Sequence, residues 1–208
     1  MGKTKFAISP GFDVGGNLFT PEQLSILGSI VGENARIEMT SFKQLYVELE
    51  DERAEDVKQR LAQTGLQIHP AGFYTKSLIA CNFCRGAEEA GLAIAKALDE
   101  AIAGQAVPSP LKIGYAGCAL GTSEPLVKDI GVVKMKDRFD IYVGGEPKSL
   151  KAKIGVLLQA GVAANELIPV VQRLIGFFSQ HGKKKEPFSR FIERMTIDKV
   201  QEAIKAVH

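Results

Sequence analysis

The chain has 208 residues, 45% of them apolar and 24% charged, which is typical of one globular domain, or a small domain joined to a larger one, and excludes a disordered chain. Its 26 basic and 24 acidic residues leave a formal charge of +2, too balanced for nucleic-acid binding through bulk charge. No apolar stretch approaches the roughly 18 residues that span a bilayer. Pro10 and Gly11 interrupt the N-terminus before a signal peptide could form. Three cysteines do not suit a secreted disulfide framework, so we expect a cytoplasmic protein.

The first part of the chain predicts a small β-α-β-α-β unit. A strand at 5–9 leads through the glycine-bearing loop 11–16 to a helix. Thr20 is placed to cap this helix, with Pro21 at its first position and Gln23 completing a capping box. Further along, alternating apolar residues predict one long strand or a pair of strands over 36–49. A helix over 51–64 and a last strand over 66–69 follow.

The rest of the chain predicts a larger α/β unit. Apolar runs predict strands at 78–80, 111–116 and 139–143. Helical spacing and closing glycines predict helices at 85–103, 165–180, 188–193 and 197–207. Proteins of the α/β class gather their functional residues at the ends of strands, so the ends of these predicted strands are where a site is expected.

All three cysteines follow predicted strands. Cys81 and Cys84 form a C-x-x-C turn ahead of the helix predicted at 85–103, and a helix N-terminus there would stabilise thiolate. Cys118 follows the strand at 111–116. Three thiolates from two loops suit an iron–sulfur cluster or a thiolate-rich zinc site.

Two other interpretations of the cysteines stay open. A lone C-x-x-C also suits a thiol–disulfide pair, and isolated buried cysteines are often inert. Among basic residues, Lys134, Lys136 and Arg138 alternate ahead of a strand and suit either an anion pocket or a solvated face. No Ser–His–Asp arrangement, P-loop or G-x-G-x-x-G occurs in the sequence, which disfavours hydrolase and nucleotide-binding functions.

Seven segments occur in one collinear order over nearly the whole chain. The first segment has a glycine pair that leads into a helix (15–24), and the second has Thr-Ser in a strand (39–47). The next two carry the cysteines (79–86 and 117–118). Three further segments follow, at 124–131, 139–145 and 188–194. This order resembles the nitrite and sulfite reductase family, whose enzymes use sirohaem joined to a 4Fe–4S cluster. In length the chain is similar to the small members that carry a single copy of a unit present twice in larger ones.

The resemblance implies an α+β fold. A ferredoxin-like half-domain over 1–72 would precede a larger mixed α/β domain of the sirohaem and iron–sulfur type over 73–208. Because larger members pair two copies about a pseudo-twofold axis, a single copy is expected to form a homodimer. The strand region over 39–49 is the expected contact, and an electron-donor protein is the other expected partner.

The resemblance also assigns the candidate site residues. Cys81, Cys84 and Cys118 would hold the 4Fe–4S cluster. Thr40 and Ser41 would contact a sirohaem-type tetrapyrrole, and Thr122 would lie beside the iron that three cysteines leave open. Arg36 and Lys43 would be the catalytic residues that hold a small inorganic anion.

The sequence departs from the family pattern in both motifs. The first cysteine cluster is usually C-x5-C and is C-x2-C here, and Thr122 stands where the second cluster has its last cysteine. A hydroxyl is a poor replacement for a soft thiolate on iron. Glu38 and Phe42 stand where basic residues are expected.

We therefore expect a redox protein with weak or lost anion-reducing activity. The first alternative is a non-catalytic tetrapyrrole- or metal-binding protein that retains the reductase scaffold. The second is a scaffold with inert thiols.

Overall fold

The computed structural model describes residues 2–148, 150 and 152–205. It has an α+β fold with two sheets, as the sequence predicts. No helix in these ranges is both long and apolar enough to cross a membrane.

The N-terminal sheet has four antiparallel strands in the order β2-β3-β1-β4. Its elements follow one another as β1 (Lys3–Ser9), α1 (Pro21–Val31), β2 (Arg36–Met39), β3 (Leu45–Glu50), α2 (Asp51–Ala62) and β4 (Gln67–Pro70). This βαββαβ order is that of a ferredoxin-like unit, and the region 36–49 is a pair of strands. Both helices pack on one sheet face, with a core of Phe6, Ile8, Leu27, Ile30, Val47, Leu49, Val57 and Leu61.

The start of α1 follows from local chemistry. The backbone N–H of Gln23 donates to Thr20 Oγ1 at 3.0 Å, and the Thr20 N–H donates to Gln23 Oε1 at 3.1 Å. The predicted capping box is therefore present, and it satisfies donors that the first helical turn leaves free.

The second sheet has five strands in the order β5-β6-β7-β8-β9. They are β5 (Ile79–Ala80), β6 (Ile113–Ala116), β7 (Ile130–Met135), β8 (Arg138–Val143) and β9 (Val156–Val162). The first three strands are parallel and the last three antiparallel. The helices of this part are α3 (Leu92–Ile102), α4 (Ala164–His181), α5 (Phe188–Met195) and α6 (Ile197–Ile204).

The two faces of this sheet differ because side chains alternate along each strand. Ile113, Tyr115, Ile130 and Val132 belong to the core that the sheet shares with helices α3 to α6. A Cβ atom added at the intervening Gly114 or Gly131 would point to the other face, where a 3-10 turn lies at Pro125–Val127. Glycine is needed there because that turn lies directly on the strands.

One expectation about the second part needs correction, two strands were missed, and one predicted helix runs beyond the described residues. The helix predicted over 85–103 begins only at Leu92, because Gly86 and Gly91 adopt positive φ angles of 91° and 71° and residues 84–91 form turns. Strands β7 and β9 were not predicted, since their apolar runs show no clean alternation. The helix predicted over 197–207 reaches into residues 206 and 207, which lie outside the described ranges.

The close packing at Gly131 yields a stability prediction. A Cβ there would lie 2.3 Å from the carbonyl oxygen of Pro125, whereas a Cβ at Gly176 in α4 would meet nothing within 4 Å. We expect Gly131→Ala to lower the free energy of unfolding by about 1–3 kcal/mol, as overpacked cores do. Gly176→Ala should raise it by up to ~1 kcal/mol through helix propensity. Urea unfolding measures both, and equal stabilities of the two variants would contradict this packing.

Candidate cysteine and lysine sites

Two cysteine loops meet at one edge of the second sheet. Cys81 directly follows β5, and Cys118 lies two residues after β6, the parallel neighbour of β5. The Cys81 N–H donates to Tyr115 O at 3.0 Å, and the Gly117 N–H donates to Cys81 Sγ at 3.3 Å. Because parallel strands end at the same edge, the predicted convergence of the two loops is present.

The three thiols differ in exposure. Cys81 is buried, Cys118 is half-buried and Cys84 is exposed, and all three are free. The pKa of Arg85 is raised, first by its hydrogen bond to Glu89 and next by the charge of Cys118, with a smaller effect of Cys84. Arg85 therefore lies close enough to both of these thiols for their charges to act on its guanidinium.

The expected helix N-terminus is not beside the C-x-x-C turn. Helix α3 starts at Leu92, eight positions after Cys84, and a helix dipole acts only within about one turn of its end. The groups that lie near these thiols are instead the guanidinium of Arg85 and the backbone N–H of Gly117.

A cavity of about 560 Å³ opens beside Cys118. Lys134 and Lys136 line it, as one of the two interpretations of these residues predicts, together with Arg85, Glu89, Gly117, Ala119, Leu120 and Met135. Arg138 lies elsewhere, and its guanidinium donates to Gly161 O at 3.4 Å. Thr122 is exposed on the loop beyond the cavity.

The donor set fits a cluster better than a single ion. Within the described part of the chain, no group of three or more His, Cys, Asp or Glu side chains surrounds one metal position, so the zinc interpretation has no support. In a 4Fe–4S cubane the thiolates bind different irons. The two loops at one sheet edge and the N–H donated to Cys81 Sγ are compatible with ligands that bind different irons from neighbouring strands.

The residues predicted to hold an anion (Arg36 and Lys43) and those predicted to contact a tetrapyrrole (Thr40 and Ser41) do not all lie at one site. Thr40 closes the hairpin, because its Oγ1 donates to Gln44 O at 2.5 Å. Thr40, Ser41 and Phe42 all line a large cleft. Lys43 instead donates its Nζ to Ala80 O at 2.7 Å. Arg36 is exposed on the edge strand β2.

The cleft that Ser41 and Phe42 line has a volume of about 630 Å³ and is rich in lysine. Lys76, Lys112, Lys148 and Lys185 line it, and Glu38, Asp129 and Glu146 supply opposite charge. Sequence reasoning missed these lysines. A usable signal was present, because Lys76 and Lys112 sit at or just before the strands predicted at 78–80 and 111–116.

Burial shifts the charges in this lysine cleft. Lys76 is only 2% exposed, and its Nζ donates to Gly72 O at 3.0 Å. Burial, followed by the charge of Lys112, lowers the pKa of Lys76 to about 8. Burial raises the pKa of Asp129 to about 7, while its Oδ2 accepts the N–H of Lys112 at 2.7 Å. Lysines in a partly dry cleft are suited to hold an anion.

Comparison with known proteins agrees with this geometry. The family described as nitrite and sulphite reductase 4Fe-4S domain matches residues 75–207, more than half of the chain. The chain belongs to the nitrite and sulfite reductase family. The resemblance of the sequence motifs to this family is thereby confirmed, and the family supports a redox role.

Individual relatives of this reductase-family protein carry different names. A cobalt-factor III methyltransferase of Priestia megaterium is 26% identical over 189 residues, 91% of this chain and 34% of that one. An assimilatory-type sulfite reductase of Nitratidesulfovibrio vulgaris is 25% identical over 206 residues, 97% of this chain and 93% of that one. The chain thus spans about a third of the first relative and nearly all of the second.

Two solved structures share the fold. Dissimilatory sulfite reductase I has a TM-score of 0.74 at 13% identity and aligns with 99% of this chain and 69% of its own. The Mycobacterium tuberculosis NirA protein has a TM-score of 0.69 at 15% identity and aligns with 97% of this chain and 39% of its own.

The shifted pKa values predict how anion binding to the lysine cleft depends on pH. Sulfate stays a dianion from pH 6 to 9, so only the protein changes charge. We expect its affinity to fall as pH rises, near pH 7 as Asp129 ionises and near pH 8 as Lys76 loses its proton. Each step should weaken binding about tenfold, or ~1.4 kcal/mol. Calorimetry at a series of pH values measures the affinity of the protein for sulfate. Asp129→Asn should remove the lower step and Lys76→Met the upper, and an affinity independent of pH would contradict the assignment.

Proposed function

We propose that this protein is a redox protein that holds a 4Fe–4S cluster on Cys81, Cys84 and Cys118. The observation that carries the proposal is the meeting of the two cysteine loops at the ends of β5 and β6, with a backbone N–H directed at Cys81 Sγ. Cys118 would take one iron at the mouth of its cavity, and Arg85 would compensate the negative charge. When bound, such a cluster supplies one-electron transfer.

The lysine cleft would bind the second component. Its volume of about 630 Å³ lies within the range of small-molecule sites. Lys76, Lys112 and Lys148 would pair with a small inorganic anion or with the acid groups of a sirohaem-type tetrapyrrole, and Phe42 and Phe73 offer apolar contact. Thr40 and Ser41 both line the cleft, and Thr40 also closes the hairpin through its bond to Gln44 O.

The proposed activity is weak because of the charges around this cleft. Glu38 lines it, and although Lys5 Nζ lies 2.5 Å from Glu38 Oε2, the carboxylate opposes an anion. Phe42 occupies the hairpin tip without any charge. Arg36 and Lys43, expected from the sequence to be the basic catalytic pair, do not line the cleft, because Arg36 is exposed on β2 and Lys43 donates to Ala80 O. Lys76 and Lys112 would take over that role.

The partners and location remain proposals as well. Strand β2 is an edge strand that exposes Ile37 and Met39, which supports a homodimer contact over 39–49. An electron-donor protein would supply electrons, and the compartment proposed is the cytoplasm. The division into units at 1–72 and 73–208 is likewise proposed, on the basis of the two separate cores.

A second function is favoured by one comparison. Most of this chain aligns with about a third of a protein named cobalt-factor III methyltransferase. The aligned unit therefore also occurs in a protein that is not named as a reductase, which favours a use of this unit without reduction of sulfite or nitrite. The same scaffold would then serve as a non-catalytic tetrapyrrole- or metal-binding protein. This function predicts tight binding of a carboxylated tetrapyrrole in the lysine cleft with no turnover of sulfite or nitrite.

Anaerobic reconstitution with iron and sulfide tests the cluster. We expect about four irons and four sulfides per chain, because three thiolates can hold a cubane with one open corner. Cys118→Ser should abolish the absorption near ~400 nm that such clusters show. Thr122→Ala is the matched control and should keep it, since Thr122 is exposed beyond the cavity. A Cys118→Ser protein that binds as much iron as the parent would sink the assignment.

A viologen-coupled assay tests the activity. We expect the loaded protein to reduce sulfite or nitrite at well below ~1 s⁻¹, the lower end of ordinary enzyme turnover. Missing charge donors typically cost ~10²–10³ each in rate. Phe42→Arg restores a cation at the cleft and should raise the rate, while Arg36→Met should leave it unchanged because Arg36 is exposed on β2. Turnover of the parent at 1 s⁻¹ or above contradicts the proposal of weak activity.

A further inference from the structure

A separate cavity of about 370 Å³ lies between the loop that follows β1 and helix α3. The loop over 10–18 forms one wall, Lys96, Asp99 and Glu100 form the opposite wall, and Gln67 of β4 completes it. This acidic cavity shares no lining residue with the lysine cleft or with the cavity beside Cys118. Its volume lies within the range of small-molecule sites, and the proposed function does not use it.

Contacts within the chain hold the loop wall of the acidic cavity in place. Asp13 and Gly16 exchange two backbone hydrogen bonds, of 3.1 and 2.8 Å. The ring of Phe12 stacks on that of Phe83, with centroids 5.7 Å apart. A wall that is already ordered lowers the entropy cost of binding a ligand.

Asp99 places a buried carboxylate in the opposite wall. Its side chain is only 4% exposed, and its Oδ1 accepts the N–H of Leu78 at 2.7 Å. Lys96 lies one helical turn earlier, at a spacing that permits an ion pair, but its Nζ pairs with Asp13 Oδ2 at 2.8 Å instead. Among the described residues, no cationic side chain pairs with Asp99. A buried carboxylate without a cation is unfavourable, so this wall is suited to hold a positively charged ligand.

A second acceptor at the acidic cavity also lacks a donor. Gln67 Oε1 is buried and accepts no hydrogen bond from the described residues. This oxygen lies beside the loop, because a Cβ at Gly11 would be 3.9 Å from it. A buried amide oxygen is costly unless a donor reaches it. A ligand with N–H groups would satisfy Gln67 as well as Asp99.

The charges of the acidic cavity indicate the class of ligand. Three carboxylates and one ammonium group line it, those of Asp13, Asp99, Glu100 and Lys96. When all are ionised, the excess of two negative charges matches an organic dication. Within the described part of the chain, no group of three or more His, Cys, Asp or Glu side chains could hold a metal ion. Phe12, Val14 and Leu18 add apolar surface for a short methylene chain.

We propose that the acidic cavity is a binding site for a short aliphatic diamine. One ammonium group pairs with the carboxylate of Asp99, Gln67 Oε1 accepts a further N–H, and the methylene chain packs on the apolar part of the loop wall. The site needs neither the cluster nor the lysine cleft, so it stands or falls independently of the proposed function.

Calorimetry on the purified full chain at pH 7.5 tests the site, with putrescine as the probe. Asp99→Asn keeps an acceptor for the Leu78 N–H but removes the charge, and it should weaken binding about tenfold. Gln67→Met should weaken it several-fold. Glu202→Gln is the matched control, because it removes one negative charge from the exposed side of α6, and its affinity should equal that of the parent.

The dependence of putrescine binding on pH is a second measurement. Burial raises the pKa of Asp99 to about 6, the Leu78 N–H opposes this shift, and the charge of Glu100 adds to it. Both amines of putrescine stay protonated below pH 8, so we expect affinity to fall about tenfold from pH 7.5 to pH 5 as Asp99 takes up a proton. The other charged groups that line the cavity are Asp13, Lys96 and Glu100. Glu100→Gln should therefore keep this step, and Asp99→Asn should remove it.

Three results would overturn the proposal. The first is a Kd of the parent for putrescine above ~10 mM. The second is equally tight binding of the neutral analogue butane-1,4-diol or of magnesium chloride. The third is an Asp99→Asn protein with the affinity and pH dependence of the parent. The thermal midpoint of each variant is measured alongside, and the pH series on the parent keeps the test decisive if a variant does not fold.

Discussion

The docking of the β2–β3 hairpin on the short edge strand β5 determines where both sites lie. The buried bond from Gln44 Nε2 to Ser77 Oγ and the bond from Lys43 Nζ to Ala80 O join the two sheets at this point. A buried hydrogen bond contributes only about 0.5–1.5 kcal/mol net, but leaving its partners unpaired costs more. The hairpin therefore has one favourable position, with the lysine cleft on one side and the cysteine loops on the other.

The buried charge of Lys76 in the lysine cleft lowers the stability of the folded protein. Because the pKa of Lys76 lies near 8 in the folded protein and at the ordinary 10.5 when unfolded, the folded state binds fewer protons between these values. Stability contributed by this group is therefore lowest below pH 8 and rises with pH up to about 10.5. The folded protein would be more stable with an uncharged side chain of similar size at this position. The presence of a lysine there is therefore a reason to regard its charge as functional.

The cysteine edge depends on packing at a distance from the thiols. Tyr115 on β6 lies between the rings of Phe83 and Phe139, with centroids 6.0 and 6.3 Å away. Its hydroxyl donates to Ala90 O at 2.9 Å, and its carbonyl accepts from Cys81 N–H. This aromatic row ties the C-x-x-C turn to the centre of the sheet, so the turn needs no helix behind it to stay in place.

The sequence by itself determined the family, the α+β class and most of the elements, because apolar periodicity, the capping box and the order of short motifs are local properties. It also indicated that Cys81 and Cys118 follow strands, while the structure shows that these strands are neighbours. Only the tertiary structure decided that Lys43 bonds to Ala80 O while Lys76 and Lys112 line the cleft. These contacts join residues more than thirty positions apart, and the direction of a side chain at a hairpin tip depends on a positive φ angle that residue types alone do not specify.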